Sequence, residues 1–399
     1  MTHVLVINSG SSSIKFQVLD PDAEAEAAPL VVGIVERIGE ETGAVRATIN
    51  GQDAEVEGRI EDHADGLRRA FDLLADNDAS LEKLGVVAVG HRLVHGGQDF
   101  SEPVIITDEV LDAARDNIPL APLHNPANIK GVEVLREALP DVPQVGVFDT
   151  AFFHELPAAA RTYAIDRDVA EEHSIRRYGF HGTSHEFVAG RVADHLGKRV
   201  EDLNQIIFHL GNGASASAIK GGRPVDTTMG LTPLEGLVMG TRSGSLDPGI
   251  VFHLARNADL SIDDIDQLLN KKSGLKGLAG ANDFRQLGEL IDKGDENAKL
   301  AFDVYIHQLR RTLGSYLVVL GGADTITFTA GVGENVAAVR EAALDGLEGF
   351  GIVLDKEKNK NAKGPAVISA EDSKVTVLVV PTNEELAIAR HAARFSAQQ

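Results

Sequence analysis

Residues 4–18 read Val4-Leu5-Val6-Ile7-Asn8-Ser9-Gly10-Ser11-Ser12-Ser13-Ile14-Lys15-Phe16-Gln17-Val18. The first four are apolar and predict a short buried strand, and the next six are turn formers. Beyond the turn, Ile14, Phe16 and Val18 alternate with Lys15 and Gln17, so a second strand follows with one buried face. The unit is a β-hairpin. Gly10 permits an unusual backbone angle and close approach of a ligand. The serine hydroxyls and backbone N–H groups can donate to phosphate oxygens. Lys15, on the face opposite Ile14, can meet a phosphate as a point charge. The G-x-x-x-x-G-K-[ST] spacing is missing and a strand follows the turn, so this is no Walker loop. A polar hairpin with an exposed lysine is the plain alternative for one such turn taken alone.

The pattern recurs. Ile206-Ile207-Phe208 runs into His209-Leu210-Gly211-Asn212-Gly213, and Ala214–Ile219 reads as a return strand before Gly221-Gly222. Two similar hairpins about 200 residues apart suggest two domains that duplicate one fold. A third apolar run, Ile326-Thr327-Phe328-Thr329, enters a turn at Ala330-Gly331-Val332-Gly333-Glu334-Asn335, after which helical spacing starts at Val336. That Gly-x-Gly lacks the third glycine of a dinucleotide fingerprint. Strands are also expected at Val86–Val89 and Val145–Phe148, and helices at 65–75, 127–139, 186–195 and 297–319. Alternation of this kind is α/β. The best linker candidates surround 153–157 and Pro381, and the Ala/Glu/Asp stretch 20–28 reads as an exposed loop.

The 399 residues fit two domains, and 43% hydrophobic content supplies two cores. No apolar run reaches the roughly 18 residues of a membrane span. The first residues lack the basic and apolar regions of a signal peptide, so a cytoplasmic protein is expected. Cysteine is absent, which excludes disulfides, thiolate catalysis and cysteine zinc sites. A net charge of -22 repels nucleic acid and anionic membranes, so neither is an expected partner. Basic residues serving anionic substrates must therefore be concentrated locally.

Two arginines have that setting. Arg92 in Gly90-His91-Arg92-Leu93-Val94-His95-Gly96-Gly97 and Arg242 in Met239-Gly240-Thr241-Arg242-Ser243-Gly244 read as residents of glycine-flanked loops, where a guanidinium can grip an anion or form a surface ion pair. Asp149 closes a strand, where ligands of α/β sheets gather; it is a candidate acid, base or orienting group, or a helix N-cap. His181 and His185 have i,i+4 spacing, but Gly182 disfavours a helix and no glutamate completes a zinc motif. Glu384 follows a strand-to-helix transition, as a cap or as a Mg²⁺ ligand.

In combination these blocks resemble the acetate kinase family. Ile7–Lys15 and Phe208–Ser215 are similar to its two signatures. Gly90–Gly97, Phe148–Phe152, Tyr178–His185, Met239–Asp247, Ala330–Asn335 and Pro381–Glu385 match further blocks in family order, across the whole chain. The resemblance implies two duplicated ribonuclease H-like (actin-type ATPase) domains with a cleft between them: 1–150, joined by a C-terminal helix 385–399, and 151–384, which carries most of the nucleotide site. It implies reversible phosphoryl transfer from ATP to acetate, giving ADP and acetyl phosphate, with Mg²⁺ (Mn²⁺ as substitute) and a homodimer.

By the same resemblance Asn8 and Glu384 position the metal, and Ser11, Ser13 and Lys15 face the phosphates. Arg92 binds the carboxylate, and Asp149 orients or deprotonates it. His181 and Arg242 stabilise the transferring group, with His124 beside them. His209, Leu210, Gly211, Asn212, Gly213, Asp283, Phe284, Arg285, Gly331, Val332, Gly333, Glu334 and Asn335 hold the nucleotide. Val94, Leu123, Phe180 and Pro233 wall the acetate methyl. A propionate or butyrate kinase is the near alternative, because one methylene is worth only about 1–3 kcal/mol in an apolar pocket. A non-enzymatic actin-like or chaperone ATPase module is the remote one, and it has no need of the two arginines.

Overall fold

The computed structural model describes residues 2–122 and 124–396. The chain divides into two units, Met1–His154 with Asn383–Gln399, and Glu155–Thr382. The first unit holds β1 (His3–Ser9), β2 (Ser13–Leu19), β3 (Val31–Glu36), β4 (Gly43–Ile49), β5 (Gln52–Gly58), β6 (Val86–Leu93), β7 (Val104–Ile105) and β8 (Gln144–Phe148). They form one sheet in the order β5-β4-β3-β2-β1-β6-β8-β7.

The reason for the apolar run in β1 is that helices cover both of its faces. Leu5 and Ile7 pack with Leu67, Ala70 and Leu74 of helix His63–Asp76 and with Leu135 of helix Asn125–Ala138. Val4 and Val6 pack with Ile388, Ala389 and Ala392 of helix Glu384–Ser396. A strand buried on both faces loses alternation and becomes continuous. β2 keeps it: Ile14, Phe16 and Val18 are buried while Lys15 is exposed.

The second unit holds β9 (Asn204–Leu210), β10 (Ala214–Lys220), β11 (Arg223–Thr227), β12 (Thr325–Thr329), β13 (Ala366–Val367) and β14 (Thr376–Val379), in the order β11-β10-β9-β12-β14-β13. The five strands β11-β10-β9-β12-β14 repeat β3-β2-β1-β6-β8 in both order and direction. Each series has an antiparallel meander joined to parallel strands. The duplication read from the two hairpins thus extends to a shared five-stranded core of the two sheets.

Three local expectations are corrected. Gly90 does not open a loop: β6 runs through it to Leu93, so Arg92 stands on a strand. A Cβ on Gly90 would lie 2.5 Å from Ile388 Cγ2, so the glycine admits the C-terminal helix against the sheet. Gly182 does not prevent a helix but opens one, Gly182–Leu196, with His181 before it in the left-handed conformation at φ 59°. Helical structure starts at Ala330 rather than at Val336, so Ala330–Asn335 is itself a helical turn. The Glu334 carboxylate accepts the Ala330 N–H at 2.8 Å and so closes a turn that its glycines do not favour.

Candidate active site

In the first unit the Gly10 N–H donates to the Ser13 carbonyl at 2.7 Å and closes the hairpin turn that carries Ser11 and Ser13. Asn8 and Lys15 are register partners across β1 and β2, so both side chains rise from one face of the sheet. Two contacts hold the turn from outside. His63 Nε2 lies 2.8 Å from the Gly10 carbonyl, and Asn128 Nδ2 donates to the Ser9 carbonyl at 2.6 Å. Asn128 Oδ1 also accepts the Val94 N–H at 3.1 Å, and Asn125 grips the N–H and carbonyl of His95. One pair of asparagines therefore anchors both the turn and the loop after β6. Neither was singled out by sequence, because a buried asparagine carries no local pattern.

β6 and β8 run parallel and end together. Arg92 stands on β6, and Asp149 follows β8 with its N–H on the Leu93 carbonyl. Arg92 Nε and Nη2 donate to the two oxygens of Asp149 at 2.9 and 2.7 Å. Asp149 is 2% exposed, and Thr150 takes the N-cap position of the turn after it, so the helix-cap alternative is excluded. Burial works to lower the Arg92 guanidinium pKa, but Asp149, Glu384 and Glu385 outweigh it and raise the net value. The guanidinium is fixed by a bidentate pair and stays charged.

Helix Glu384–Ser396 is capped by Asn383, whose Oδ1 accepts the Leu386 N–H at 2.9 Å. That frees Glu384 from capping. Its Oε2 is buried without a hydrogen-bond partner. Burial raises its pKa, the Arg92 and Lys15 charges oppose that, and Asp149 adds to it. A buried, unpartnered carboxylate oxygen near two cations, with the amide oxygen of Asn8, fits the hard oxygen donors that Mg²⁺ takes alongside phosphates and waters. Among the described residues no group of three or more His, Asp or Glu is arranged to hold a metal ion, and a site of this kind needs none. Val94 is buried, and His124 precedes helix Asn125–Ala138. Leu123 lies outside the described residues.

The second unit gathers the imidazoles. Ser215 and Ser217 alternate on β10 and so share a face. Ser215 Oγ lies 3.0 Å from His181 Nδ1 and 2.7 Å from His185 Nε2, and Ser217 Oγ lies 2.8 Å from His185 Nδ1. Burial, with His209 nearby, pushes the His185 pKa well below the ordinary range, so this ring is neutral and structural. His209 stacks on His181 at 4.3 Å between ring centres, and its Nδ1 is 2.7 Å from Ser184 Oγ, itself 2.7 Å from Thr382 Oγ1. Ser184, Ser215, Ser217 and Thr382 were missed by sequence. The period-two serines of β10 were the available signal.

Arg242 does sit in a glycine-flanked loop, with Nη1 on the Pro233 carbonyl at 2.8 Å. A methyl on Gly213 would lie 3.4 Å from His181 Nε2 and 3.8 Å from Arg242 Nη1, so turn, ring and guanidinium converge. Phe180 is buried just before His181, and Leu210 is wholly buried, which leaves only its backbone to meet a ligand.

Gly211, Asn212, Asp283, Phe284 and Val332 line one cavity of ≈ 290 Å³ with Gly240 and Tyr305. Three sequence-predicted segments thus meet in one place. Asp283 caps helix Phe284–Asp292 through the Gln286 N–H, and Arg285 is exposed on its first turn. Asn335 Nδ2 donates to the Gly331 carbonyl at 2.9 Å, and Glu334 also accepts the Thr382 N–H at 3.2 Å. Gly331, Gly333, Glu334 and Asn335 belong to the helical turn that carries Val332.

The acetokinase family profile matches residues 3–390. The acetate kinase of Corynebacterium efficiens is 59% identical over 397 residues, 99% of this chain and 100% of its own length. The crystal structure of Porphyromonas gingivalis acetate kinase superimposes with a TM-score of 0.93 at 42% identity, covering 99% of each chain. A propionate kinase from Francisella tularensis subsp. tularensis gives 0.91 at 40% identity, covering 99% of this chain and 100% of the other. The duplicated actin-like sheets and a match that runs from end to end lead to one conclusion: the chain belongs to the acetokinase family.

Proposed function

We propose that the chain catalyses reversible phosphoryl transfer from ATP to acetate, giving acetyl phosphate and ADP, as a cytoplasmic homodimer. The observation that carries this reading is the Arg92–Asp149 pair beside the buried, unpartnered Glu384 oxygen. A filament or chaperone ATPase has no use for a fixed guanidinium reserved for a small carboxylate.

The acetate oxygen attacks the γ-phosphorus; a new O–P bond forms as the bond to the β,γ-bridging oxygen breaks, and that electron pair leaves on ADP. Acetate is ionised at neutral pH, so no proton need be removed. Asp149 has both oxygens engaged by Arg92, which supports orientation of the guanidinium rather than general-base work. Arg92 holds the acyl carboxylate. The family resemblance assigns Val94, Leu123, Phe180 and Pro233 to its methyl group. Lys15, His181 and Arg242 spread charge from the equatorial oxygens, with His124 beside them and Ser11 and Ser13 on the phosphates. Asn8 and Glu384 would hold Mg²⁺ (or Mn²⁺), which when bound neutralises phosphate charge. His209–Gly213, Asp283–Arg285 and Gly331–Asn335 hold the nucleotide, which gives the second domain most of that site.

A hydroxamate-trapping assay with ATP and Mg²⁺ across formate, acetate, propionate and butyrate tests the reading. Acetate is expected to give the highest kcat/KM. No hydroxamate with any acid would sink the proposal, and a preference for propionate would move it to the neighbouring specificity. Sedimentation velocity checks the dimer, and cell fractionation checks the compartment.

A further inference from the structure

Arg340, on helix Ala337–Leu344, is 2% exposed. Burying a guanidinium is costly unless its donors are fully matched. Here the match is to neutral oxygens. Nη1 donates to the carbonyls of Gly333 at 2.8 Å and Glu334 at 3.0 Å. Nε donates to Asn359 Oδ1 and Nη2 to the Asn359 carbonyl, both at 2.7 Å. Burial draws the pKa to about 10, which still leaves the group charged at neutral pH.

Gly333 and Glu334 lie in the last turn of helix Ala330–Asn335, where carbonyls lack partners within the helix and a cation is favoured. Asn359 is buried, and its Nδ2 donates to the Ala337 carbonyl at 3.0 Å, so it also fixes the start of the helix that carries Arg340. The chain of contacts closes on itself. Lysine lacks the planar fork needed to bind two carbonyls of one segment and both oxygens of one asparagine. The other end of the same helical turn is fixed by the Glu334 carboxylate on the Ala330 and Thr382 N–H groups.

We infer that Arg340, locked by Asn359, is a positioning residue for nucleotide binding: it sets the orientation of Gly331–Asn335 from behind without touching substrate. This rests on the assignment of that segment to the nucleotide. A residue that only stabilised the fold would affect both substrates alike.

The test compares wild type with Arg340→Met, Arg340→Lys and Asn359→Ser, each shown to be folded by a cooperative thermal transition. For Arg340→Met the KM for ATP is expected to rise about tenfold or more, with the KM for acetate unchanged within about twofold. Arg340→Lys falls between it and wild type. Asn359→Ser, which keeps the charge but loses the lock, shows a smaller rise of the same kind and serves if Arg340→Met does not fold. The thermal shift produced by ADP alone is measured in parallel and should shrink in the same order. Unchanged ATP KM and ADP shift in a folded variant, or equal rises in both KM values, overturn the inference. A wild type stabilised by ADP but inactive on every acid defeats the acetate reading, and loss of that ADP shift in Arg340→Met still supports the inference.

Discussion

The hairpins β1–β2 and β9–β10 share direction and sheet position, yet they solve opposite problems. In β2 one face is buried and the other carries exposed Lys15 opposite Asn8. In β10 every residue but the last is buried, and the polar face is Ser215 and Ser217, used up in holding imidazoles. The first hairpin therefore presents charge, whereas the second presents neutral hydroxyls that fix where rings stand. Duplication conserved the backbone and left side-chain chemistry free to diverge, so function cannot be transferred from one hairpin to the other by symmetry.

The largest expected effect probes the charged half. Arg92→Leu leaves Asp149 buried and unpaired, and should cost about 3–5 kcal/mol in urea denaturation. The double variant Arg92→Leu/Asp149→Leu should recover most of that stability while acetate turnover stays lost. Recovery of turnover would break the assignment of charge to this unit.

Next comes pH. His91 is buried with Nε2 on Gln144 Oε1 at 2.7 Å, and burial lowers its pKa from 6.5 to about 4. The unfolded chain binds the proton first as pH falls. The contribution is therefore complete above pH 6.5 and lost on descending through 4, about 3 kcal/mol in all. His91→Gln should flatten that part of the pH–stability curve. The slope that remains includes His185 of the second unit, shifted in the same direction. An unaltered curve would mean that His91 contributes none of it.

Ser217→Ala should cost about 1–3 kcal/mol, because His185 Nδ1 loses the Ser217 hydroxyl 2.8 Å away. Turnover should fall with stability, since His185 and His181 share Ser215. Lys15→Met should show the reverse pattern: thermal stability within about 0.5 kcal/mol of wild type, as expected at an exposed position, and kcat lower by about a hundredfold or more. If Lys15→Met destabilised the protein as much as Ser217→Ala, the contrast between the hairpins would be wrong.

The sequence by itself determined the periodicities. Residues 4–18 give strand, turn and half-buried strand, because side-chain alternation is a local property of the backbone. The echo at 206–219 follows from the same rule. The candidate blocks stood out too, since Arg92, His181 and Arg242 lie close to glycines and Glu384 follows Pro381, residues that element interiors mostly exclude.

Only the tertiary structure decided what each glycine was for. Gly90 read as the edge of a loop, and it makes room for Ile388, about 300 residues away in sequence. Gly331 and Gly333 read as a turn ahead of a helix, and Glu334 with Arg340 holds them inside a helical one. It also decided which side chains are paired. The Arg92–Asp149 fork, the orphaned Glu384 oxygen and the buried Arg340 depend on residues from distant segments. Hydrogen-bond satisfaction in a low-dielectric interior is a property of the assembled fold, and no local pattern encodes it.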